Sequence, residues 1–196
     1  MMRTSYIERK TSETSVMVEL NLDGKGEYDI KTSIPFLDHM LTLMCRHGIM
    51  DMRVRAEGDI EIDYHHLMED IGISLGKGLR EALKDKGGIE RFGVAKVPMD
   101  EALAEVIIDI SGRPFLVYQV DSSYEYIKDL QVALFEDFFR AFSVHAMINL
   151  HIIVHYGRDT HHVFEAIFKA LGRAILHAVK VNERTSGIPS TKGVID

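Results

Sequence analysis

Two copies of one short pattern, His-His-x-x-Glu, contain the side chains of this sequence best suited to chemistry. The copies consist of three residues each: His65, His66, Glu69 and His161, His162, Glu165. Imidazole and carboxylate ligands without sulfur suit Mn, Fe, Co or Zn ions rather than a structural zinc knot. The pattern therefore predicts a metal-dependent site, and a site with many nitrogen and oxygen ligands favours Mn or Fe.

The similarity between the two copies continues beyond the pattern at the same spacing. Four further pairs of positions are identical: Ile71 and Ile167, Leu75 and Leu171, Gly76 and Gly172, Ala82 and Ala178. Self-similarity at a fixed spacing is the signature of an internal duplication. A single copy would be a weak signal, because lone helical histidines are more often solvated or capping residues. Two aligned copies make a metal site the stronger interpretation.

Helix geometry separates the two histidines of each copy. Residues four apart share one helix face, so His65 and Glu69 lie together, whereas consecutive residues point about 100° apart. One small ion rarely accepts both rings from consecutive helical positions. We therefore expect each histidine to serve a different ion, and each site to draw on both halves of the chain or on two subunits.

The two patterns alone do not supply enough ligands, because Mn and Fe bind about six. His39 is the best additional candidate. Asp137 occupies the aligned position in the second half, and His151 is a competing candidate there. The remaining histidines are expected to be ordinary surface or capping residues: His47, His145, His155 and His177.

The elements that must position these residues follow from periodicity and turn residues. Strands are predicted at residues 16–22, 27–33, 51–56, 60–63, 102–110, 115–120 and 149–155, and helices at 36–47, 65–86, 130–145 and 160–182. Asp63 is the expected N-cap of the first pattern's helix, and Asp159 or Thr160 that of the second. A polar loop is expected at 121–129.

Each half therefore has the order strand-strand-helix-strand-helix. This order predicts an internally duplicated α+β fold in which helices cover a sheet and the two halves pack together. The predicted divisions are residues 1–95 for the first half, 96–182 for the second, and 183–196 for a C-terminal substrate-binding tail.

Composition narrows the possible partners and the compartment. The sequence has no run of ~18 apolar residues and no apolar segment at its N-terminus, so neither a membrane span nor a signal peptide is expected. The single Cys45 excludes an intramolecular disulfide and fits a reducing, cytoplasmic setting. A net charge of −7 argues against nucleic acid as the main partner.

Basic and hydroxyl side chains at element ends are candidates for binding a small anion. They are Arg91, Arg113, Lys169, Ser190 and Lys192. Guanidinium, ammonium, hydroxyl and backbone amide groups all bind phosphate well, although each cation alone is more often simply solvated. Neither a P-loop nor a glycine-rich dinucleotide motif is present, so a nucleotide is not indicated.

Several longer motifs, spread over essentially the whole chain, have the character of one enzyme family. They are the segments 34–41, 65–70, 100–103, 111–114, 161–166, 168–170 and 188–193. Together they resemble imidazoleglycerol-phosphate dehydratase, an enzyme family of histidine biosynthesis. Four positions depart from the common family pattern. Asp137 stands where many members have His, Tyr64 and Leu67 replace small polar residues, and Asp159 replaces Asn.

The resemblance implies a lyase that removes water from imidazoleglycerol phosphate to give imidazoleacetol phosphate. It also implies two Mn²⁺ ions per active site, no organic cofactor, and a homo-oligomer of 24 subunits whose metal sites lie between subunits. The implied metal residues are His39, His65, His66, Glu69, Asp137, His161, His162 and Glu165. The implied substrate-binding residues are Glu13, Arg91, Arg113, Lys169, Ser190 and Lys192.

The implied reaction is chemically demanding, because the carbon-bound proton next to the imidazole is not acidic. Ions on the ring nitrogens can stabilise the imidazolate, which can expel the distant hydroxyl. A carboxylate then removes the carbon proton, and the resulting enol becomes the ketone. We hypothesise that Glu165 or Glu69 carries protons, with Glu13 as the second acid or base.

Two other interpretations compete with this one. The first is a dinuclear metallohydrolase acting on a small phosphorylated substrate, which needs ions ~3.5–4 Å apart. Divergent histidines suggest ions set farther apart than that. The second is a metal-stapled assembly or storage shell without catalysis, which would leave the basic tail and Arg113 without a role.

Overall fold

The computed structural model of the protein describes residues 2–121, 123–184 and 187–195. Positions 1, 122, 185, 186 and 196 of the predicted halves and tail lie outside the described residues. The first half consists of β1 (Thr4–Lys10), β2 (Thr14–Asn21), β3 (Tyr28–Lys31), α1 (Pro35–Gly48), β4 (Asp51–Gly58) and α2 (His65–Leu83).

The second half repeats this order and adds one small hairpin. Its elements are β5 (Phe92–Met99), β6 (Ala102–Asp109), β7 (Phe115–Gln119), the hairpin strands β8 (Tyr126–Ile127) and β9 (Leu130–Gln131), α3 (Leu134–Ala146), β10 (Asn149–Tyr156) and α4 (Thr160–Val179).

The two four-stranded sheets have the same topology. Their strand orders are β1-β2-β4-β3 and β5-β6-β10-β7. The pairs β3–β4 and β7–β10 are parallel, and the other pairs are antiparallel. The register also repeats, because Thr4 pairs with Asn21 in one hairpin and Phe92 with Asp109 in the other. The predicted duplicated α+β fold is therefore confirmed.

Helices cover one face of each sheet and also join the two halves. α2 packs on β1 and β2, and α4 packs on β5 and β6. Between the halves, α1 packs against α4 and α2 packs against α3. This cross-packing places the metal patterns, both at helix starts, beside helices of the opposite half. No helix among the described residues is long and apolar enough to span a bilayer.

Aromatic side chains of α3 and α4 form the centre of the hydrophobic core. Phe135, Phe138, Phe139, Phe164 and Phe168 are each no more than 1% exposed. The rings of Phe135 and Phe164 lie 4.2 Å apart, centroid to centroid. Burying a phenylalanine side chain stabilises a fold by about 1.5–3 kcal/mol. This cluster therefore contributes strongly to holding the two helices, and the histidines at the start of α4, in place.

Several predicted element boundaries were wrong, although the helices and the repeat were right. Residues 60–63 form a turn rather than a strand. The predicted halves also lacked their first strands, β1 and β5, as separate elements. β5 pairs along its whole length with β6, so the predicted division at 95/96 passes through a strand of the second sheet. α3 begins only at Leu134, because Leu130 and Gln131 pair with β8.

Candidate metal centre and active site

The start of α4 holds the second His-His-x-x-Glu pattern in a fixed position. Asp159 precedes the helix, and its Oδ1 accepts a hydrogen bond of 2.8 Å from the backbone amide of His161. This is the expected N-cap. At the start of α2 the predicted N-cap Asp63 lies one residue too early, because Tyr64 is the N-cap and its side chain makes no capping bond. Asp63 Oδ1 nevertheless accepts a bond of 2.7 Å from the amide of His65. Both patterns therefore begin at a helix end fixed by an aspartate.

His39, His161 and Glu165 converge into one group of three possible metal ligands. The Nε2 atoms of His39 and His161 lie 2.9 Å and 3.2 Å from the same oxygen of Glu165. Their donor atoms all lie within 4.8 Å of one another. Phe36 supports the His161 ring edge-on, with centroids 5.3 Å apart. Two imidazoles and a carboxylate around one point suit a divalent transition metal.

Glu165 is an ionised carboxylate held among cations and donors. Only 11% of its side chain is exposed. Burial acts to raise the pKa of Glu165, but hydrogen bonds from Lys169 and His39 outweigh burial and lower that pKa to about 2. A carboxylate with so low a pKa is a poor proton acceptor near neutral pH and a good metal ligand. Lys169, one turn further along α4, bonds the second oxygen of Glu165.

The corresponding group in the first half is more open. Asp137 on α3 takes the place that His39 takes on α1, and its Oδ2 lies 3.7 Å from Nδ1 of His65. Glu69 is exposed, unlike its repeat counterpart Glu165. Among the residues that the structure describes, only the group around Glu165 brings three donors within 4.8 Å. The structure thus brings His65 and Asp137 together and leaves Glu69 exposed.

The second histidine of each pattern points away from the first. The rings of His65 and His66 have centroids 6.0 Å apart and are inclined by 85°, and those of His161 and His162 are 6.2 Å apart and inclined by 86°. The two rings of each pair therefore point in different directions, as the helix geometry predicts. His66 and His162 lie outside the two groups described above.

His66 and His162 each have a carboxylate partner at Nδ1. His66 Nδ1 lies 3.0 Å from Asp59, and His162 Nδ1 lies 2.8 Å from Glu101. These hydrogen bonds raise the pKa of both histidines above the ordinary value. The bond from His162, together with the backbone amide of Asp159, lowers the pKa of Glu101 to about 2.

Glu13 lies at the tip of the β1–β2 hairpin, near the first pattern. The side chain of Thr11 accepts a 3.1 Å bond from the Glu13 amide and fixes the turn. The Glu13 carboxylate is about half exposed and lies 3.9 Å from Nδ1 of His66. It is therefore close to the pattern without being committed to a strong partner among the described residues.

A polar cleft of about 220 Å³ brings most of the predicted anion-binding residues together. It is lined by Arg91, Ser111, Arg113, Ser190, Thr191 and Lys192 with the end of the tail. Two bonds of 2.7 and 3.1 Å orient the Arg91 guanidinium on Asp109, and a third, of 3.0 Å, reaches the carbonyl of Pro189. The cleft can bind a phosphate-sized anion. Lys169 is not part of it, because its ammonium faces Glu165.

The other histidines have partners elsewhere. His155 bonds Glu105, and His177 bonds the carbonyl of Val94. Burial lowers the pKa of His47 and of His145. His151 lies on the opposite face of β10 from the buried Leu150 and Ile152, away from the histidines at the helix starts.

Known proteins match this chain over nearly its whole length. The sequence profile described as Imidazoleglycerol-phosphate dehydratase matches residues 32–175. The chain belongs to the imidazoleglycerol-phosphate dehydratase family. The family's protein from Pelobacter propionicus is 52% identical over 195 residues, covering 100% of both chains. That from Thermodesulfovibrio yellowstonii is 53% identical over 194 residues, covering 99% of this chain and 100% of the relative.

Solved structures of imidazoleglycerol-phosphate dehydratases share the fold. The crystal structure from Staphylococcus aureus has a TM-score of 0.83 and 38% identity, covering 91% of this chain and 99% of that chain. The one from Pyrococcus furiosus has a TM-score of 0.83 and 39% identity, covering 96% and 99%. At this level of identity the similarity extends to the sequence as well as to the fold.

Sequence reasoning missed three carboxylates that hold the site residues of this dehydratase-family chain. Asp59 and Glu101 bond the outward histidines, and Asp109 bonds Arg91. The sequence could have indicated Glu101 as a site residue, because Glu101 directly precedes β6 just as Glu13 directly precedes β2. Asp59 and Asp109 carried no comparable signal, since a single acidic residue at a strand end is ordinary.

Proposed function

We propose that this protein is a hydro-lyase that converts imidazoleglycerol phosphate into imidazoleacetol phosphate and water, a step of histidine biosynthesis. Membership of the dehydratase family over the full chain carries the proposal. The group of His39, His161 and Glu165 supports it with a donor set suited to metal-dependent chemistry on a nitrogen-containing ring.

The donor chemistry of this chain fits the divalent metal that we propose, two Mn²⁺ ions per active site. His39, His161 and Glu165 would hold one ion, and His65, Glu69 and Asp137 the other. Both groups are built from nitrogen and oxygen, and neither contains a thiolate. When bound, the ions supply positive charge that stabilises the deprotonated imidazole ring of the substrate.

The chain's own carboxylates divide into ligands and proton carriers. Glu165 fits the ligand role, because its pKa is about 2 and Lys169 holds its second oxygen. Glu13 fits the proton-carrying role, because it is half exposed and close to His66. In this proposal a carboxylate accepts the proton from the carbon beside the ring, and an acid donates a proton to the departing hydroxyl.

The cleft around Arg91 and Arg113 fits the substrate's phosphate. Replacing Arg113 with Gln is expected to raise the KM for imidazoleglycerol phosphate roughly 10–100-fold, because a charge-assisted bond contributes about 1.5–3 kcal/mol. Steady-state kinetics measures this. Arg140→Gln is the control, because Arg140 is exposed and its ion pair among the described residues is with Glu136, one turn away on α3. An unchanged KM in the Arg113 variant would contradict the phosphate assignment.

A homo-oligomer, with 24 subunits as the specific expectation, completes the sites in this proposal. Three ligands from one chain are fewer than the roughly six that such ions take. His66 and His162 point away from their neighbours and can complete sites on another copy. Exposed apolar residues on the outer sheet faces, such as Tyr6, Phe92 and Val94, suit burial between copies. Sedimentation velocity with Mn²⁺ and after chelation measures the assembly.

The single, buried Cys45 fits a reducing compartment, and we propose the cytoplasm as its location.

One assay tests the proposed reaction against its nearest rival. The chelated and the Mn²⁺-reloaded protein are each incubated with imidazoleglycerol phosphate, and both ketone formation and released phosphate are measured. We expect ketone only, only with the metal, and no phosphate release. Phosphate release without ketone would support the metallohydrolase instead. Metal-dependent assembly without either product would support a structural role.

A further inference from the structure

His66 and His162, the second histidines of the two patterns, each have a carboxylate at Nδ1. The two carboxylates come from positions that do not correspond in the two halves. Nδ1 of His66 faces Asp59, and Nδ1 of His162 faces Glu101. An ionised carboxylate has only acceptors, so the ring must carry its proton on Nδ1 in each case. That tautomer leaves Nε2 free as a metal ligand, which is the arrangement that carboxylate partners commonly impose on metal-binding histidines.

Glu101 is the repeat counterpart of Glu13, not of Asp59. Glu13 directly precedes β2, and Glu101 directly precedes β6. The two hairpins that contain these glutamates, β1–β2 and β5–β6, have the same register around them. Lys10 lies opposite Ser15 in one, and Pro98 lies opposite Leu103 in the other. The two glutamates have nevertheless taken different roles. Glu101 bonds His162 at 2.8 Å, whereas Glu13 stays 3.9 Å from His66.

Asp59 has no acidic counterpart in the second half, because the connection that carries it is shorter there. Gly58 ends β4, and Gly157 directly follows the equivalent strand β10. The two glycines occupy matching places, since each lies against the residue that opens the neighbouring strand, Thr14 or Ala102. After Gly58, residues 59–64 lead to α2, whereas after Gly157 only residues 158 and 159 lead to α4. The longer connection supplies Asp59, and the shorter one places Arg158 directly after the glycine.

From this exchange we infer that Asp59 and Glu101 are positioning residues that present Nε2 of His66 and His162 to metal. In the second half Glu101, from the β5–β6 hairpin, holds Nδ1 of His162. In the first half Asp59, from the longer connection between β4 and α2, holds Nδ1 of His66. Glu13 therefore remains available for proton transfer. The inference rests on the proposed metal-dependent function and assigns roles to two residues that do not touch the metal.

Glu101 also anchors the backbone before α4, and the test must separate the two roles. Its Oε1 accepts bonds from the amides of Arg158 and Asp159, at 3.3 and 2.8 Å, while Oε2 faces His162. In Glu101→Gln the single carbonyl oxygen can retain both backbone bonds. The NH₂ group then faces Nδ1 of His162 and demands the opposite tautomer, with the proton on Nε2.

The test is a titration of the metal-stripped full chain with Mn²⁺, followed through the EPR signal of the free ion. We expect Glu101→Gln and Asp59→Asn each to weaken one class of site about 10–100-fold, the usual effect of losing such a partner. Melting temperature and sedimentation are measured alongside. The control is Glu105→Gln, which breaks the 2.7 Å pair with His155 on the outer face of the second sheet.

The outcomes distinguish this inference from the proposed function. Weaker Mn²⁺ binding in Glu101→Gln, with an unchanged melting temperature and a control like the wild type, supports the positioning role. Wild-type affinity in Glu101→Gln, or equal weakening in the Glu105 control, overturns it while leaving the dehydratase proposal intact. A wild-type chain that binds no Mn²⁺ overturns this inference together with the proposed two-Mn²⁺ site, whereas the dehydratase proposal still rests on the family match.

Discussion

Replacing Glu165 with glutamine is expected to lower turnover of imidazoleglycerol phosphate at least about 100-fold, because it removes the anionic ligand of one proposed ion, and losing even a partner of a metal ligand typically costs 10–100-fold in activity. The amide keeps the shape of the side chain but removes its charge. Lys169, His39 and His161 would then converge on a neutral group that is 11% exposed. Without the carboxylate the site loses its anionic ligand and keeps the Lys169 ammonium, which repels a divalent ion, so Mn²⁺ binding is expected to weaken as well.

Glu105→Gln is a closely matched control for this experiment. Glu105 bonds one histidine and one lysine, His155 at 2.7 Å and Lys96 at 3.2 Å, and is 21% exposed. Glu165 bonds two histidines and one lysine. It lies on the face of β6 opposite the buried core. Turnover, Mn²⁺ content and melting temperature are measured for both variants. Near-normal turnover in the Glu165 variant, or an equal loss in the control, would contradict the assignment of Glu165.

Glu165 and Glu69 show how far the sequence could predict the site. Both stand at the same place in identical patterns, and helix periodicity correctly predicts that each shares a face with the first histidine. The sequence could not show that Glu165 is buried against His39 and Lys169 while Glu69 is exposed. That difference arises from the partner helices, α1 for Glu165 and α3 for Glu69, and so depends on tertiary packing.

Residues 60–63 and β5 show why parts of the fold escaped prediction. Ile60 and Ile62 alternate with acidic residues as in a strand, yet they are 40% and 69% exposed. Residues 60–62 form a turn that belongs to neither sheet in the described part of the chain. β5 was missed because Gly93 and Pro98 argue against a strand. It forms the edge of its sheet, where a proline is tolerated, and Gly93 allows the backbone of α4 to approach closely.

The duplication, in contrast, was visible in the sequence down to single glycines. Gly76 and Gly172 were recognised as repeat partners, but the reason for glycine appears only in the packing. A Cβ on Gly76 would lie 2.6 Å from the carbonyl oxygen of Phe142 and 2.9 Å from the amide nitrogen of Ala146. Gly172 meets the backbone of α1 in the same way, at Met44. Each glycine therefore sets the distance between a helix of one half and a helix of the other.

Gly76→Ala is accordingly expected to destabilise the fold by roughly 3 kcal/mol, because the atoms in the way are backbone and the two helices must separate. Gly78→Ala, two residues along the same helix, is expected to stabilise it by about 0.4–1 kcal/mol, the usual gain where the native conformation accepts alanine. A Cβ there would meet only ordinary contacts, at 3.4 Å to Ser5 Oγ and 3.7 Å to Ile7 Cγ1.

Urea unfolding of both variants, with oligomer size recorded at each concentration, measures these changes. Helix propensity favours alanine equally at both positions, so propensity alone predicts that the two variants move in the same direction. Opposite signs therefore isolate the close approach of α2 to α3 as the cause. Shifts of the same sign would show that the two helices can separate at little cost. In that case the position of the first metal pattern relative to Asp137 would not depend on this contact.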